Sequence, residues 1–249
     1  YCSKDAVETW QAWKSFGMPP ENGRLLIDEQ ATKENIIAAL QWLARVAGPE
    51  DRVVLFYSGH GTQEPNGASA NREPDKAQEY LAPYNSQNAN FDFDLADDRI
   101  GELLDAVPAQ VQVVVLDACY AGGFRQELER HEGRMVLMAS QENQTSGEST
   151  KFKGGLLVGV VLQALREFAP QGVPAGEVVR AARLRVARIC PECFADMGGS
   201  YRRCPECGTV LTGDQRAQQA VVTSTLAAEL PLQLGHVTTQ KRPIRPLDR

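Results

Sequence analysis

Apolar positions recur along the chain with two alternating periods. Arg52–Tyr57 (RVVLFY), Val111–Asp117 (VQVVVLD) and Met135–Ala139 are short runs, apolar at nearly every position. Such runs predict strands covered on both faces. Between them the apolar residues fall at helical spacing. Ile36, Leu40, Leu43 and Ala44 form one stripe, behind Thr32 as a cap and ahead of Gly48-Pro49 as a stop. Asp97-Asp98 open another helix, with Ile100, Leu103, Leu104 and Val107 on its inner face. Ala6, Trp10 and Trp13 mark a first helix in DAVETWQAWKSF, Gly155–Phe168 reads as an apolar helix, and Gly176–Ile189 as an amphipathic one. Arg24–Ile27 (RLLI) and Ala220–Thr225 (AVVTST) are shorter strand candidates. Gln63–Asn90 is polar, with Gly, Asn and Pro scattered through it. It predicts a long loop around one ordered piece, EYLAPY, and loops of that length are usually functional or disordered.

Strands apolar on both faces and separated by helices imply an α/β fold: a mostly parallel sheet with helices on both faces. In such sheets functional residues collect beyond the carboxyl ends of the strands. Two polar knots stand there. One is Ser58-Gly59-His60-Gly61 after VVLFY, the other Cys119-Tyr120-Ala121-Gly122-Gly123 after VVVLDA. One strand–loop–helix–strand unit separates them, so His60 and Cys119 can meet in space.

Composition narrows the setting. Of 249 residues, 43% are hydrophobic and 23% charged, which is ordinary for a globular protein and enough for one substantial core with a small appendage. The net charge of −6 argues against a broad nucleic-acid footprint. No apolar run reaches the roughly 18 residues of a membrane span. Four of the six cysteines form two C-x-x-C pairs, and Cys2 and Cys119 stand alone. That usage predicts metal binding plus a thiol in a reducing compartment, and a cytoplasmic location, rather than a disulfide framework.

A thiol attacks only as the thiolate, and a neighbouring imidazole can take its proton and later protonate a leaving amine. His60 and Cys119 are therefore a candidate catalytic pair. The backbone N–H groups of Gly61 and Cys119 are candidate donors to an oxyanion. Gly61, Gly122 and Gly123 leave room for a substrate backbone. Taken singly, Cys119 is equally a small residue ending a strand and His60 a turn residue. The pairing of the two knots is what favours catalysis.

The residues SGHG after one strand and DACYAGG after the next resemble the caspase-like clan of cysteine peptidases. Asp117-Ala118-Cys119 stands where animal caspases carry Q-A-C, so the likeness is to metacaspases and their prokaryotic relatives, the orthocaspases. It extends over residues 1–187 through CSKDA, TKENIIAALQWLA, EYLAP, DLADDRI and GGLLVGVVLQAL. The resemblance implies that His60 and Cys119 are the dyad. It also implies a strand just before the CSKDA segment, so a first strand is expected upstream of Tyr1. An acid-lined pocket at Cys2, Asp5, Ser58 and Asp117 follows from the same likeness, with cleavage after Arg or Lys. Asp117 precedes the nucleophile by two positions, which sets both on one side of the sheet. A carboxylate beside a thiolate is unfavourable unless the substrate brings a cation. The alternative is that Asp5 caps the first helix and Asp117 pairs with a structural arginine.

Many metacaspases need calcium. Asp97 and Asp98 match two of its ligands, whereas Gln78 and Gln126 stand at two others, and neutral replacements weaken a site for a hard cation. Asp97 and Asp98 could equally favour the positive end of a helix. Activation by a cut is a further implication, and the connector GGFRQELERHEGRM offers Arg125, Arg130 and Arg134. The alternative is a solvated, charged loop.

The segment CPECFADMGGSYRRCPECG places Cys190, Cys193, Cys204 and Cys207 as two knuckles. Four thiolates close a tetrahedral shell, which predicts a structural zinc ribbon. The expected organisation is a core over 1–187 and a ribbon over 188–210. The core ends over 211–235, and a mobile basic tail covers 236–249. Tyr201, Arg202 and Arg203 at the ribbon tip could meet a partner, such as a regulatory protein or an upstream domain. The leading expectation is a cysteine endopeptidase acting on proteins, made as a zymogen. The alternative is an inactive caspase-like scaffold that recruits partners through the ribbon; a nucleic-acid binder is disfavoured by the acidity.

Overall fold

The structure, a computed structural model, describes residues 1–65, 76–87, 90–149, 153–168 and 221–224, together with 181, 182, 185, 190, 203, 204, 207, 208 and 210. Its centre is a sheet in the order β1 (Arg52–Ser58), β5 (Val111–Asp117), β6 (Arg134–Met138) and β9 (Val221–Ser224). The first three run parallel and β9 closes the far side antiparallel to β6. The fully apolar runs thus became strands within a residue of the expected bounds.

Burial on both faces explains why these runs lack polar alternation. In β5, Val114 and Leu116 point to one side and Val113 and Val115 to the other. The first pair packs with Leu40 of α2 (Lys33–Val46) and with Ile100, Leu103 and Leu104 of α3 (Asp97–Asp105). The second packs with Leu156, Leu157, Val160, Ala164 and Leu165 of α5 (Leu156–Phe168). Phe16, just past α1 (Cys2–Ser15), joins that second layer. Thr32 caps α2 by accepting from the Asn35 N–H at 3.3 Å.

Three expectations are corrected. The described part of Gln63–Asn90 holds more order than EYLAPY alone, residues 66–75, 88 and 89 lying outside the described residues. β2 (His60–Pro65) and β3 (Ala77–Ala82) pair antiparallel, and β4 (Leu95–Ala96) adds to β3. Polar residues conceal this hairpin, because Gln78 and Glu79 are buried by other polar groups rather than by an apolar core. Arg24–Ile27 forms no strand, since it has no ladder partner among the described residues; Arg24 instead lies 3.9 Å over the Trp42 ring. In α1 the buried side chains are Asp5 and Thr9, not the Ala6–Trp10–Trp13 stripe. Trp10 packs on Gly23 and Trp13 edge-on against Phe16.

β7 (Glu148–Ser149) and β8 (Gly154–Gly155) make a small antiparallel pair ahead of α5. Of the expected Gly176–Ile189 helix, residues 181, 182 and 185 are described, and they are helical. Cys193, Tyr201, Arg202, the stretch 211–220 and the tail 236–249 lie outside the described residues. No described helix is long and apolar enough to cross a membrane.

Candidate active site

The registry of the central strands sets the site. β1 and β5 run side by side with Ser58 opposite Asp117, and the Gly59 N–H still donates to the Asp117 carbonyl at 3.1 Å. His60 and Cys119 each follow two residues later. Neighbouring strands lie about 4.8 Å apart, so both side chains leave the same rim of the sheet at adjacent positions. His60 is exposed and Cys119 half-buried. His60 opens β2 rather than lying in a loop, and its carbonyl accepts from the Tyr57 hydroxyl at 3.0 Å. That phenol also reaches the Ala82 carbonyl at 2.9 Å. Burial pushes its pKa well above the usual tyrosine range, so it stays a donor that ties the β1–β2 corner to β3. Gly61 abuts the backbone of Cys119: a Cβ there would lie 2.0 Å from the Cys119 carbonyl oxygen. Only glycine permits that approach.

Below the rim, α1, β1, β5 and the start of α5 bring the four expected pocket residues together. The Ser58 hydroxyl donates to Asp5 Oδ2 at 3.1 Å, and the Gly155 N–H donates to the same oxygen at 2.8 Å. Asp117 accepts from the Ser146 hydroxyl at 2.6 Å and from the Val158 N–H at 3.1 Å, in the first turn of α5. Burial pushes Asp117 up to about 6 against those two hydrogen bonds, and the charges of Asp5 and Glu148 push the same way. Burial likewise raises Asp5, opposed first by the Gly155 N–H and then by Ser58. The Cys2 thiol is raised by burial too, and it shares a hydrogen bond with Ser58. Among the described residues neither acid pairs with an arginine; their hydrogen-bond partners there are backbone N–H groups and hydroxyls. Gly154 and Gly155 cover the two carboxylates so closely that a Cβ would lie 2.3 Å from Asp5 and 2.2 Å from Asp117.

Asp97 and Asp98 begin α3. Asp97 is fully buried, accepts from the Asp98 N–H at 2.8 Å, and is pushed up to about 8 by that burial and by Glu127, Glu79 and Asp98. Gln78 faces Tyr80 on β3, and Gln126 lies in α4 (Arg125–Leu128). Among the described residues, no third acidic group joins Asp97 and Asp98 at metal-ligating distance.

Residues 18–126 match the family model described as "Metacaspase, peptidase C14 domain". That span contains both His60 and Cys119. Over that span the chain is similar to a metacaspase-type peptidase C14 domain. Metacaspase-2 of Trypanosoma brucei brucei is 29% identical over 49% of this chain and 37% of its own length. Metacaspase-1A of Aspergillus oryzae is 32% identical over 44% and 27%, and metacaspase-4 of Arabidopsis thaliana 30% identical over 54% and 32%. The chain thus spans about a third of the length of these curated relatives. A crystal structure of a Geobacter sulfurreducens protein superposes with a TM-score of 0.57, covering 74% of this chain and 79% of that one at 20% identity. It supports the fold alone.

The glycines after Cys119 have a different role from the one expected. A Cβ at Gly122 would meet the backbone of Gln141 and Glu142 at about 2.5 Å, and one at Gly123 would meet Glu79 at 2.2 Å. They admit the domain's own chain rather than a substrate. The connector is also not an open loop. Arg125 and Arg130 are exposed but folded into or beside α4, paired with Glu129 at 2.9 Å and Glu127 at 2.8 Å. Arg134 opens β6 and its side chain is fully buried, bonded to Gln112, the Leu128 carbonyl and Asp105. It is a core arginine, out of reach of a processing protease. The sequence conceals this because the partner that satisfies it, Gln112, sits in another strand.

Of the four knuckle cysteines, Cys190, Cys204 and Cys207 are described, and their sulfurs converge within 4.8 Å of one another. The Cys190 and Cys207 sulfurs are 3.7 Å apart. Two thiolates on a tetrahedral zinc at about 2.3 Å would be separated by about 3.8 Å. The cluster could therefore bind a metal. The Gly208 N–H donates to the Cys204 carbonyl at 3.0 Å with φ at +75°, and Arg203 bridges Val210, which shapes the second knuckle. Tyr57 and Ser146 were not singled out from sequence. A strand tyrosine and a loop serine carry no pattern of their own.

Proposed function

We propose that this protein is a cysteine endopeptidase that cleaves protein substrates after Arg or Lys. The observation that carries the reading is the Ser58–Asp117 register, which delivers His60 and Cys119 together at one sheet rim. In this reading His60 accepts the Cys119 proton, and the thiolate adds to the scissile carbonyl. The Gly61 and Cys119 N–H groups receive the oxyanion. The imidazolium then returns its proton to the leaving amine, and water, deprotonated by the same imidazole, releases the acyl group. Cys2, Asp5, Ser58 and Asp117 form the pocket for the basic side chain. Among the described residues these two buried carboxylates are hydrogen-bonded by neutral donors, and an arginine's guanidinium would add a directly bonded positive charge.

The same reading assigns zinc to the Cys190, Cys193, Cys204 and Cys207 set, as a structural ion in a ribbon over 188–210. Calcium at Asp97 and Asp98, and activation by a cut beside Arg125 or Arg130, are its regulatory branches. A reducing cytoplasm suits two thiols that must stay unoxidised. The test is turnover of Arg-, Lys- and Asp-ending peptides by wild type and Cys119→Ala, with and without calcium. Turnover after Arg or Lys that vanishes in the variant is the expected result; faster turnover after Asp would refute the specificity. No turnover by the wild type under any condition, connector cleavage included, would favour an inactive scaffold.

A further inference from the structure

Ser146 touches both halves of the site at once. Its backbone N–H donates to Cys119 Sγ at 3.4 Å, and its hydroxyl donates to Asp117 Oδ1 at 2.6 Å. The segment around it is fastened at each end. The Tyr120 N–H, next to the nucleophile, donates to the Gln144 carbonyl at 2.8 Å. The Leu156 N–H, at the start of α5, donates to the Gly147 carbonyl at 3.0 Å. Tyr120 itself sits at φ +58°, so the turn after the nucleophile depends on this contact to hold its shape.

From this geometry we infer that Ser146 is a positioning residue that couples the basic-residue pocket to the nucleophile. This rests on the reading of Cys119 as nucleophile and Asp117 as pocket acid. An N–H aimed at the sulfur favours the thiolate over the thiol, since a hydrogen bond to the charged form stabilises it. The hydroxyl on Asp117 fixes where that N–H points. A cation entering the pocket draws on the Asp117 carboxylate, and the Ser146 bridge carries the adjustment to the sulfur. Specificity and activation then share one side chain.

The test uses the full chain as wild type, Ser146→Ala, Ser146→Thr and Ser146→Val. Thr and Val match in shape and differ in the hydroxyl. Iodoacetamide alkylation of Cys119 is followed across pH by the mass of the peptide that carries it, a readout that needs no turnover. kcat and KM on an Arg-ending peptide are measured beside it. Removing the hydroxyl bond to Asp117, which holds the Ser146 N–H on the sulfur, should slow alkylation at neutral pH about tenfold in Ala and Val. Thr should restore the wild-type profile, and kcat should fall more than KM rises. A wild-type profile in Ser146→Val, or one equally displaced in Thr and Val, would overturn the inference. A wild type that alkylates at Cys119 yet turns over no peptide would defeat the peptidase reading instead, while the Thr–Val comparison still decides whether Ser146 positions the sulfur.

Discussion

Replacing Asp117 by Asn should make the protein more tolerant of neutral pH while disabling it. Asp117 is buried, and its carboxyl is held at about 6 against a usual 3.8, chiefly by burial. A group whose folded pKa is raised binds its proton more tightly in the native state. The native state is thus favoured below the unfolded value, and that advantage is lost as pH rises from about 4 to about 6. A shift of about two units at roughly 1.4 kcal/mol each makes the ionised Asp117 cost about 3 kcal/mol at pH 7. Asn keeps an acceptor for Ser146 but faces the Val158 N–H with a donor, a loss that is the same at every pH. The comparison is therefore the pH dependence. Thermal midpoints of wild type and Asp117→Asn are measured by circular dichroism at pH 4.5 and pH 7.5. About 2 of those 3 kcal/mol fall between the two pH values, so the wild type should lose about 4–8 °C more than the variant, taking 2–4 °C per kcal/mol for a chain of this size. Turnover of Arg-ending peptides by the wild type should fall as pH drops through about 6 and the pocket loses a charge. In the variant it should be down about 10- to 100-fold, the worth of one hydrogen bond to a charged group. Equal pH slopes in the two proteins would refute the burial argument, and unchanged turnover would refute the pocket.

Gly61→Ala should reduce turnover by roughly 100-fold, the scale for a 1 Å displacement at a reacting centre, because its Cβ would overlap the Cys119 carbonyl; unchanged kcat/KM would contradict the close approach. Arg134→Ala should lower stability by roughly 3 kcal/mol in urea unfolding, since it strands buried Gln112 and leaves a void. A variant unfolding at the wild-type midpoint would show that the arginine is not part of the core. Purified protein should contain zinc bound by the cysteine cluster, and dialysis against a chelator should lower its thermal midpoint. A midpoint untouched by chelation, or no metal by elemental mass spectrometry, would rule the ion out.

The strands and the polar knots at their ends were legible because each has a strong local signature. β1, β5 and β6 are apolar on both faces, and polar knots at their ends cannot be packing residues of the strands themselves. The hairpin of β2 and β3 was hidden because its ladder is built from Thr62, Gln63, Glu79 and Tyr80, whose burial is polar. The orientation of α1 is hidden for the same reason: Asp5 faces inward to the Ser58 hydroxyl and the Gly155 N–H, against the pull of the tryptophans. Arg134 read as a cleavable surface residue because nothing in GRM announces that Gln112 and the Leu128 carbonyl await it. Ser146 was invisible because its importance lies in two partners, one 27 and one 29 residues away.

The closing strand β9 reaches its place beside β6 only after the chain has left α5 at Phe168 and travelled through the cysteine-rich span. Joining the ends of so long a detour carries an entropic cost that a bound ion would lessen, much as a cross-link does, by tethering Cys190 to Cys204 and Cys207 before the strand docks. Ligation would then fasten the outer margin of the sheet. The firmness of that margin would follow the free metal concentration around the protein, as mass action requires.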